Sequence, residues 1–359
     1  MQRNGGGLCK IINMKVLITG IVGFLGTHVA EYFTKQGWEV EGIDNLTDYE
    51  LKRANFNVDK SRQYNLDFLD SLGVEFHKWD CRTVCAEDFD NIDFIIHCAA
   101  QPAMTVAIED PMYDADDNII SAVNILNIAK KKNIPIVTCS SVHIYGNSGN
   151  KDLIELDTRF KRSKLNSLAT DEINENTPIL QGDLTPLHVS KYAVELYTQS
   201  FAEMYGIKSA CFRFTGMYGE RQFGGMDHGW VANFAIRTIM ERPITIFGTD
   251  KQVRDILYAE DAARAFECWF NNGCPLGIYN IGGGFKNSIS IKECLEKLKI
   301  ITEKEQEIKI ESFRKGDLWY FVCDYNKANE NFEWYPRIEP NEGLMRICKW
   351  AEENKELFK

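Results

Sequence analysis

No stretch of this chain carries the ~20 consecutive apolar residues that a membrane-crossing helix needs, and nothing in it reads as a secretory signal peptide. An excess of positive charge is also missing. Lys and Arg total 41 against 52 Asp and Glu, a formal net charge of −11. Nonspecific nucleic-acid binding needs the opposite sign, so it is excluded, and a site for an anion must be a local exception. The eleven cysteines (Cys9, Cys81, Cys85, Cys98, Cys139, Cys211, Cys268, Cys274, Cys294, Cys323, Cys348) contain no Cys-x-x-Cys pair. Their scatter and odd number argue against a disulfide framework or a metal site, and for unpaired thiols in a cytoplasmic protein. Cys98, Cys139 and Cys211 lie in apolar segments that read as buried strands, where free cysteine packs as a small hydrophobe.

What is present is the composition of an ordinary globular protein, 44% hydrophobic and 26% charged over 359 residues. That length allows one large α/β domain or two joined ones. Residues 1–13, with Gly5-Gly6-Gly7, precede Met14 and read as an unstructured extension or an upstream start. From there the chain alternates. Lys15–Thr19 is a β-branched apolar run, the mark of a strand buried on both faces. Gly20-x-x-Gly23-x-x-Gly26 follows, then a helical pattern to Gly37, then a strand over Trp38–Asp44. Asp44 stands 18 residues beyond Gly26, near the ~20 expected of the acid that holds an adenine ribose. The glycines permit a tight turn and close approach of a pyrophosphate to a helix N-terminus, and an acid at 44 favours NAD over NADP.

Further strands are expected at Val74–Trp79, Phe94–His97, Ile136–Cys139 and Ser209–Phe214, with helices near Ile119–Ala129 and over 185–205. Such alternation predicts an α/β fold with a doubly wound parallel (Rossmann) sheet, whose ligands bind beyond the carboxyl ends of the strands. The polar stretch 147–184, with Arg159, Lys161, Arg162 and Lys164, is long for a connection and reads as a lid or binding loop. After about residue 220 the alternation weakens. Residues 14–220 are assigned to the dinucleotide-binding domain, and 221–359 mainly to a smaller mixed α/β substrate region. Within 185–205 the apolar positions Val189, Tyr192, Ala193, Leu196 and Tyr197 keep helical spacing, and Lys191 adds a cation near the helix start.

These motifs, with His97-Cys98-Ala99-Ala100, Ser140-Ser141 ahead of Ile144-Tyr145-Gly146, Ser190-Lys191, Gln252-Val253-Arg254-Asp255 and Arg314-x-Gly316-Asp317, resemble the extended short-chain dehydrogenase/reductase family. That family comprises the NAD-dependent nucleotide-sugar epimerases and dehydratases, and the resemblance spans roughly residues 14–350. Three loop stretches, Ala100–Thr105, Met217–Phe223 and Asp227–Val231, are similar to its CDP-paratose 2-epimerase branch.

The resemblance implies bound NAD held by Gly20, Gly23, Phe24, Leu25, Gly26, Asp44, Asn45, Asp80, Cys81, Ala99, Ala100, Gln101, Lys191 and Thr215. It implies a nucleotide-diphosphate sugar held by Met104, Gly216, Arg221, Trp230, Val231, Phe247, Arg254 and Arg314. It further implies a homodimer built through the 187–203 helix. In the family a tyrosine four residues ahead of the lysine takes the sugar hydroxyl proton, assisted by the lysine and a Ser or Thr. Lys191 and Ser141 match the latter two, but the tyrosine position is Leu187, which cannot carry a proton. Tyr192 lies about 100° around the helix and reads as packing. Asp and Glu of the 4,6-dehydratases correspond to Val142 and His143, so His143 is the ionisable group retained. A second departure is Gly216, where many relatives have an Asn that contacts the sugar phosphates.

Three readings stay open at this level. The first is an NAD-dependent epimerase of a CDP- or other NDP-hexose at C2, with Ser141, Lys191 and His143 catalytic. The second is a keto-sugar epimerase, isomerase or dehydratase using His143 for proton transfer. The third is a non-catalytic nucleotide-sugar-binding homologue.

Overall fold

A computed structural model describes residues 14–47, 58–163, 172–226 and 228–359. Residues 1–13, Lys164 and Asp227 therefore lie outside the described residues. The run after Met14 forms β1 (Lys15–Thr19), buried from Val16 onward. α1 (Phe24–Lys35) starts on the glycine turn and turns Leu25, Val29, Ala30 and Phe33 inward. β2 (Glu39–Ile43), α2 (Val58–Ser71), β3 (Glu75–His77) and β4 (Phe94–His97) continue the alternation. Then come α3 (Met104–Glu109), α4 (Pro111–Ala115), a π turn at Asp116–Ile120, α5 (Ser121–Lys132) and β5 (Ile136–Ser141). The long polar connection holds a hairpin, β6 (Leu153–Glu155) with β7 (Phe160–Arg162). It ends at α6 (Pro186–Tyr205), followed by β8 (Ser209–Phe214) and β9 (Gly216–Tyr218).

The rest of the chain supplies α7 (Trp230–Ile239), β10 (Ile244–Phe247), β11 (Val253–Tyr258), α8 (Ala259–Asn271) and β12 (Gly277–Ile281). β13 (Ser288–Ser290), α9 (Ile291–Thr302), β14 (Ile308–Glu311), β15 (Tyr320–Phe321), α10 (Asn326–Phe332) and α11 (Pro340–Glu353) complete it. Ser290 caps α9, accepting from the Glu293 N–H at 3.1 Å while Glu293 returns to its backbone.

The central sheet has the order β12-β8-β5-β4-β1-β2-β3, every neighbouring pair parallel. Strand order reverses between β1 and β4, the place where such sheets open a crevice. One face is covered by α1 and α8 through Val29, Phe33, Phe266 and Trp269, the other by α5 and α6 through Ile125, Leu126, Ala129 and Phe201. A separate core joins α7, α9 and α11 around Phe234, Ile236, Leu298 and Ile347.

Three features add to the sequence reading. The boundary at 220/221 is not a clean cut, because β12 closes the edge of the first sheet and α8 packs on α1. Cys98 and Cys139 are half-buried rather than buried, since both sit at carboxyl ends of strands facing the crevice. The apolar stripe of α6 faces outward: Val189 is 48% exposed, while Leu187, His188, Lys191 and Glu195 are buried. Polar groups take the inner face there because each meets a partner or the crevice. Among the described residues ten cysteines are free, and no helix is long and apolar enough to cross a membrane.

Candidate functional site

A cleft of about 520 Å³ runs across the carboxyl ends of the parallel strands. At one end lies the glycine turn. Gly20 has φ +67°, and a Cβ there would stand 2.7 Å from the Ala99 backbone, so the turn closes on the loop after β4 only as glycine. At Gly26 a Cβ would fall 2.2 Å from the Gly20 carbonyl oxygen. α1 begins at this turn with no side-chain cap and no acid in its first turn, which leaves its amide donors for an anion. Asp44, at the end of β2, accepts from the Val22 and Leu46 amides at 3.1 and 2.8 Å. Burial nevertheless raises its pKa. Asp80 is held by Arg82 at 2.6 Å and by Asn45 at 3.4 Å.

The middle of the cleft joins two elements. On α6, buried Lys191 donates to Asn118 Oδ1 at 3.3 Å, and burial lowers its pKa. Asn118 sits in the π turn and also donates to Ser190 Oγ and Asp114. Such turns cluster at functional sites. Leu187, one turn before the lysine, is 2% exposed and lines the same space. The short turn after β5 carries Ser141, whose Oγ accepts the His143 N–H at 3.2 Å. His143 opens on the cleft, yet its Nδ1 is buried without a partner. Burial, then Arg254, push its pKa down to about 3.

The far end is basic. Arg254 donates to the carbonyls of Val253 and Leu318, and burial lowers its pKa to about 10. Arg314 pairs with Asp317 at 3.1 Å and lies 4.4 Å over the Phe247 ring. A smaller pocket of about 100 Å³ continues past them, lined by Trp230, Asn233, Phe247 and Gln252 among others.

The structure thus brings Gly20, Gly23, Phe24, Leu25, Gly26, Asp44, Asn45, Asp80, Cys81, Ala99, Ala100 and Thr215 to one cleft. Ser141, His143, Lys191, Met104, Gly216, Arg221, Trp230, Arg254 and Arg314 line it as well. Three expected residues stand apart. Gln101 is fully buried and bonds Asp114 at 2.8 Å, behind Lys191 rather than beside a ligand. Val231 is 1% exposed in the second core, because the first turn of α7 points it inward. Phe247 lines only the smaller pocket. Arg221 touches the cleft, but its guanidinium is spent on Glu31 at 2.5 Å, His28 at 3.1 Å and Thr27 at 3.3 Å. Asn65 and Gln222 were not expected, and each presents a buried oxygen without a partner. No local motif marks Asn65, which α2 carries to the cleft, whereas Gln222 lies within the Met217–Phe223 stretch and was not singled out there.

Buried orphan atoms on Asn65, His143, Thr215 and Gln222 all line this one cleft. Buried polar groups are rarely left unpaired, so their clustering fits a site completed by a polar ligand. The uncapped α1 terminus, close-packed glycines and Asp44 together fit the pyrophosphate and ribose of a dinucleotide.

Comparison with known proteins agrees with the class this fold and cleft define. Residues 16–282 match the model of the NAD dependent epimerase/dehydratase family, and the chain belongs to it. It is 30% identical to the CDP-paratose 2-epimerase of Salmonella typhi, covering 94% of this chain and 99% of that protein. It is also 30% identical to the UDP-glucuronate 4-epimerase of Thermodesulfobacterium geofontis, over 96% and 98%. Among solved structures, the UDP-glucose 4-epimerase of Thermotoga maritima with UDP-glucose superimposes with a TM-score of 0.76 at 26% identity, covering 95% and 100%. The Thermus thermophilus UDP-glucose 4-epimerase complex with NAD gives 0.75 at 27%, with the same coverage.

Proposed function

We propose that this chain is an NAD-dependent epimerase of a nucleotide-diphosphate hexose, acting at C2 of a CDP-linked or related sugar. The observation that carries the reading is the continuous cleft from the glycine turn to Arg254 and Arg314, with the orphan polar atoms along it. Gly20, Gly23, Gly26 and the α1 amides would hold the pyrophosphate, Asp44 the adenine ribose, and Lys191 the nicotinamide ribose. NAD supplies a hydride acceptor and donor. Arg254 and Arg314 would take the diphosphate with planar, charge-assisted hydrogen bonds. Ser141 would hydrogen-bond the reacting oxygen, and the pocket between Trp230 and Phe247 would take the base. Gly216 lines the main cleft, where a Cβ would meet only ordinary contacts at 3.6 Å. The likeness to the Salmonella typhi protein supports C2; the 4-epimerase relatives make C4 the competing position.

The outward face of α6, with Val189, Leu196, Tyr197 and Met204, supports a homodimer in which a second copy covers it. A cytoplasmic location agrees with the free thiols. The test is to measure NAD in the purified protein and follow CDP-paratose, UDP-glucose and UDP-glucuronic acid by NMR. The reading expects stoichiometric NAD and inversion at one ring carbon. Absence of both bound NAD and NAD binding sinks it.

A further inference from the structure

Among the described residues lining the reaction end of the cleft, Leu187 leaves an apolar side chain one turn from Lys191. The space around it is not without a proton carrier. His143 faces it from the turn after β5, on the same short turn as Ser141. The Nδ1 of His143 is buried and unpartnered, and among the described residues no hydrogen bond engages its Nε2 while the residue lines the cleft. Behind it stands His188, with ring centres 6.3 Å apart and planes inclined at 31°. His188 is fixed by the start of its helix. Its Nδ1 accepts from the Thr185 amide at 3.1 Å, so its neutral ring carries the proton on Nε2, which is also buried and unpartnered.

We propose that His143, backed by His188, is the acid–base catalytic residue of this chain, and that the diphosphate of its own substrate favours its protonation. The inference rests on the epimerase reading above and specifies how the same site works without a tyrosine at 187. The charged and titratable groups facing the His143 ring are Arg254, Arg314 and His188, with Asp317 engaged on Arg314 and Asp183 behind His188. Burial is the larger cause that keeps the imidazole neutral, and the two guanidiniums add to it by opposing any positive charge on the ring. A diphosphate seated between them cancels that field.

The chemistry balances. The sugar hydroxyl gives its proton to His143 as its carbon-bound hydrogen leaves as hydride to the nicotinamide. One positive charge disappears from the nicotinamide and one appears on the imidazole, so no net charge is created in the buried site. The reverse step returns hydride to the opposite face of the ketone and the proton to its oxygen. A tyrosinate beside a lysine would do the same with one fewer positive charge. The exchange of residue therefore also explains why a helix can keep Lys191 and lose the phenol.

The test has two arms. In the first, ¹⁵N spectra of the imidazoles are recorded on the NAD-loaded chain, with His143 assigned by its loss in His143→Gln. Without nucleotide the ring should stay neutral well below pH 6. With saturating UDP its titration midpoint should rise by about one unit, a tenfold change in proton affinity. No movement on UDP addition overturns the proposal. In the second arm, CDP-paratose, UDP-glucose and UDP-glucuronic acid are offered to variants. His143→Gln should keep its NAD and lose about 100-fold in kcat, and adding Leu187→Tyr to it should restore at least about tenfold. An active wild type beside an equally active His143→Gln sinks this inference alone. A wild type inactive on all three sugars sinks the epimerase reading and this inference with it.

Discussion

Arg213 and Arg254 lie on strands of two different sheets, and the chain treats their charges in opposite ways. Arg213, buried at the end of β8, meets Glu195 bidentately at 3.0 and 2.8 Å and donates to the Tyr145 hydroxyl at 2.9 Å. Ser140 adds a third bond to the same carboxylate. Glu195 holds the Arg213 pKa above its ordinary value although burial opposes it. Arg254, on β11, has only carbonyl oxygens as partners and no bonded carboxylate among the described residues. Burial pulls its pKa down to about 10. Both are arginines near a cleft, but one is a closed structural unit and the other an open charge. A fold tolerates an open buried cation when a ligand completes it, because the desolvation cost is then offset in the complex. Compensated charge marks scaffold; uncompensated charge marks site.

Removing one partner from the closed pair should have the largest effect. Glu195→Ala leaves a buried guanidinium unpaired and should cost about 3–5 kcal/mol in urea unfolding. A loss below about 1 kcal/mol would break the comparison. Arg254→Met should do the reverse, leaving stability level or higher while UDP affinity by calorimetry drops with the loss of ~1.5–3 kcal/mol of charged hydrogen bonds. Asp44 belongs with Arg254, since burial raises its pKa and, among the described residues, two amides hold it without a bonded cation. Asp44→Asn should weaken NAD by about tenfold, ~1.4 kcal/mol, and narrow the preference over NADP.

The last effect is a slope with pH. Burial holds His28, His97 and His143 near a pKa of about 3, against 6.5 when unfolded. As pH falls from 6.5 toward 3 the unfolded chain takes those protons first, so the fold loses stability. Asp255 acts oppositely, raised by burial from 3.8 to about 6. Its contribution is present below pH 3.8 and lost as pH rises through 6. Where the windows overlap, three histidine protons against the one on Asp255 leave about two net protons. Stability should then fall by ~2.7 kcal/mol per pH unit on acidification. Thermal melts between pH 4 and 6 check the sign, and His97→Asn should flatten the slope.

How far the sequence could be read depends on the range of each interaction. The glycine turn, Asp44 and the parallel strands rest on short-range rules, turn geometry and apolar runs, and they fall where spacing put them. α6 shows where such rules stop. Its apolar positions keep helical spacing as read, yet Val189 and Leu196 face outward. The inner face is polar because Lys191 finds Asn118, Glu195 finds Arg213 and His188 finds Thr185. Two of those partners come from distant segments that no periodicity links to the helix. Likewise Arg221 fits a phosphate-binding motif by position, while α1 supplies Glu31 and His28 to absorb it. Gln101 and Val231 sit in the right loops with side chains turned away.

By itself, the sequence determined a doubly wound sheet with a dinucleotide turn, a helix lacking its tyrosine at Leu187, and His143 as the ionisable group kept nearby. Those are properties of local patterns and of residue identity. Only the tertiary structure decided which charges are closed and which are open, that β12 returns to finish the first sheet, and that His188 stands behind His143. Each of these depends on segments far apart in the chain meeting at one place. A buried charge is stable or poised according to what arrives beside it, and the folded chain alone makes that arrival.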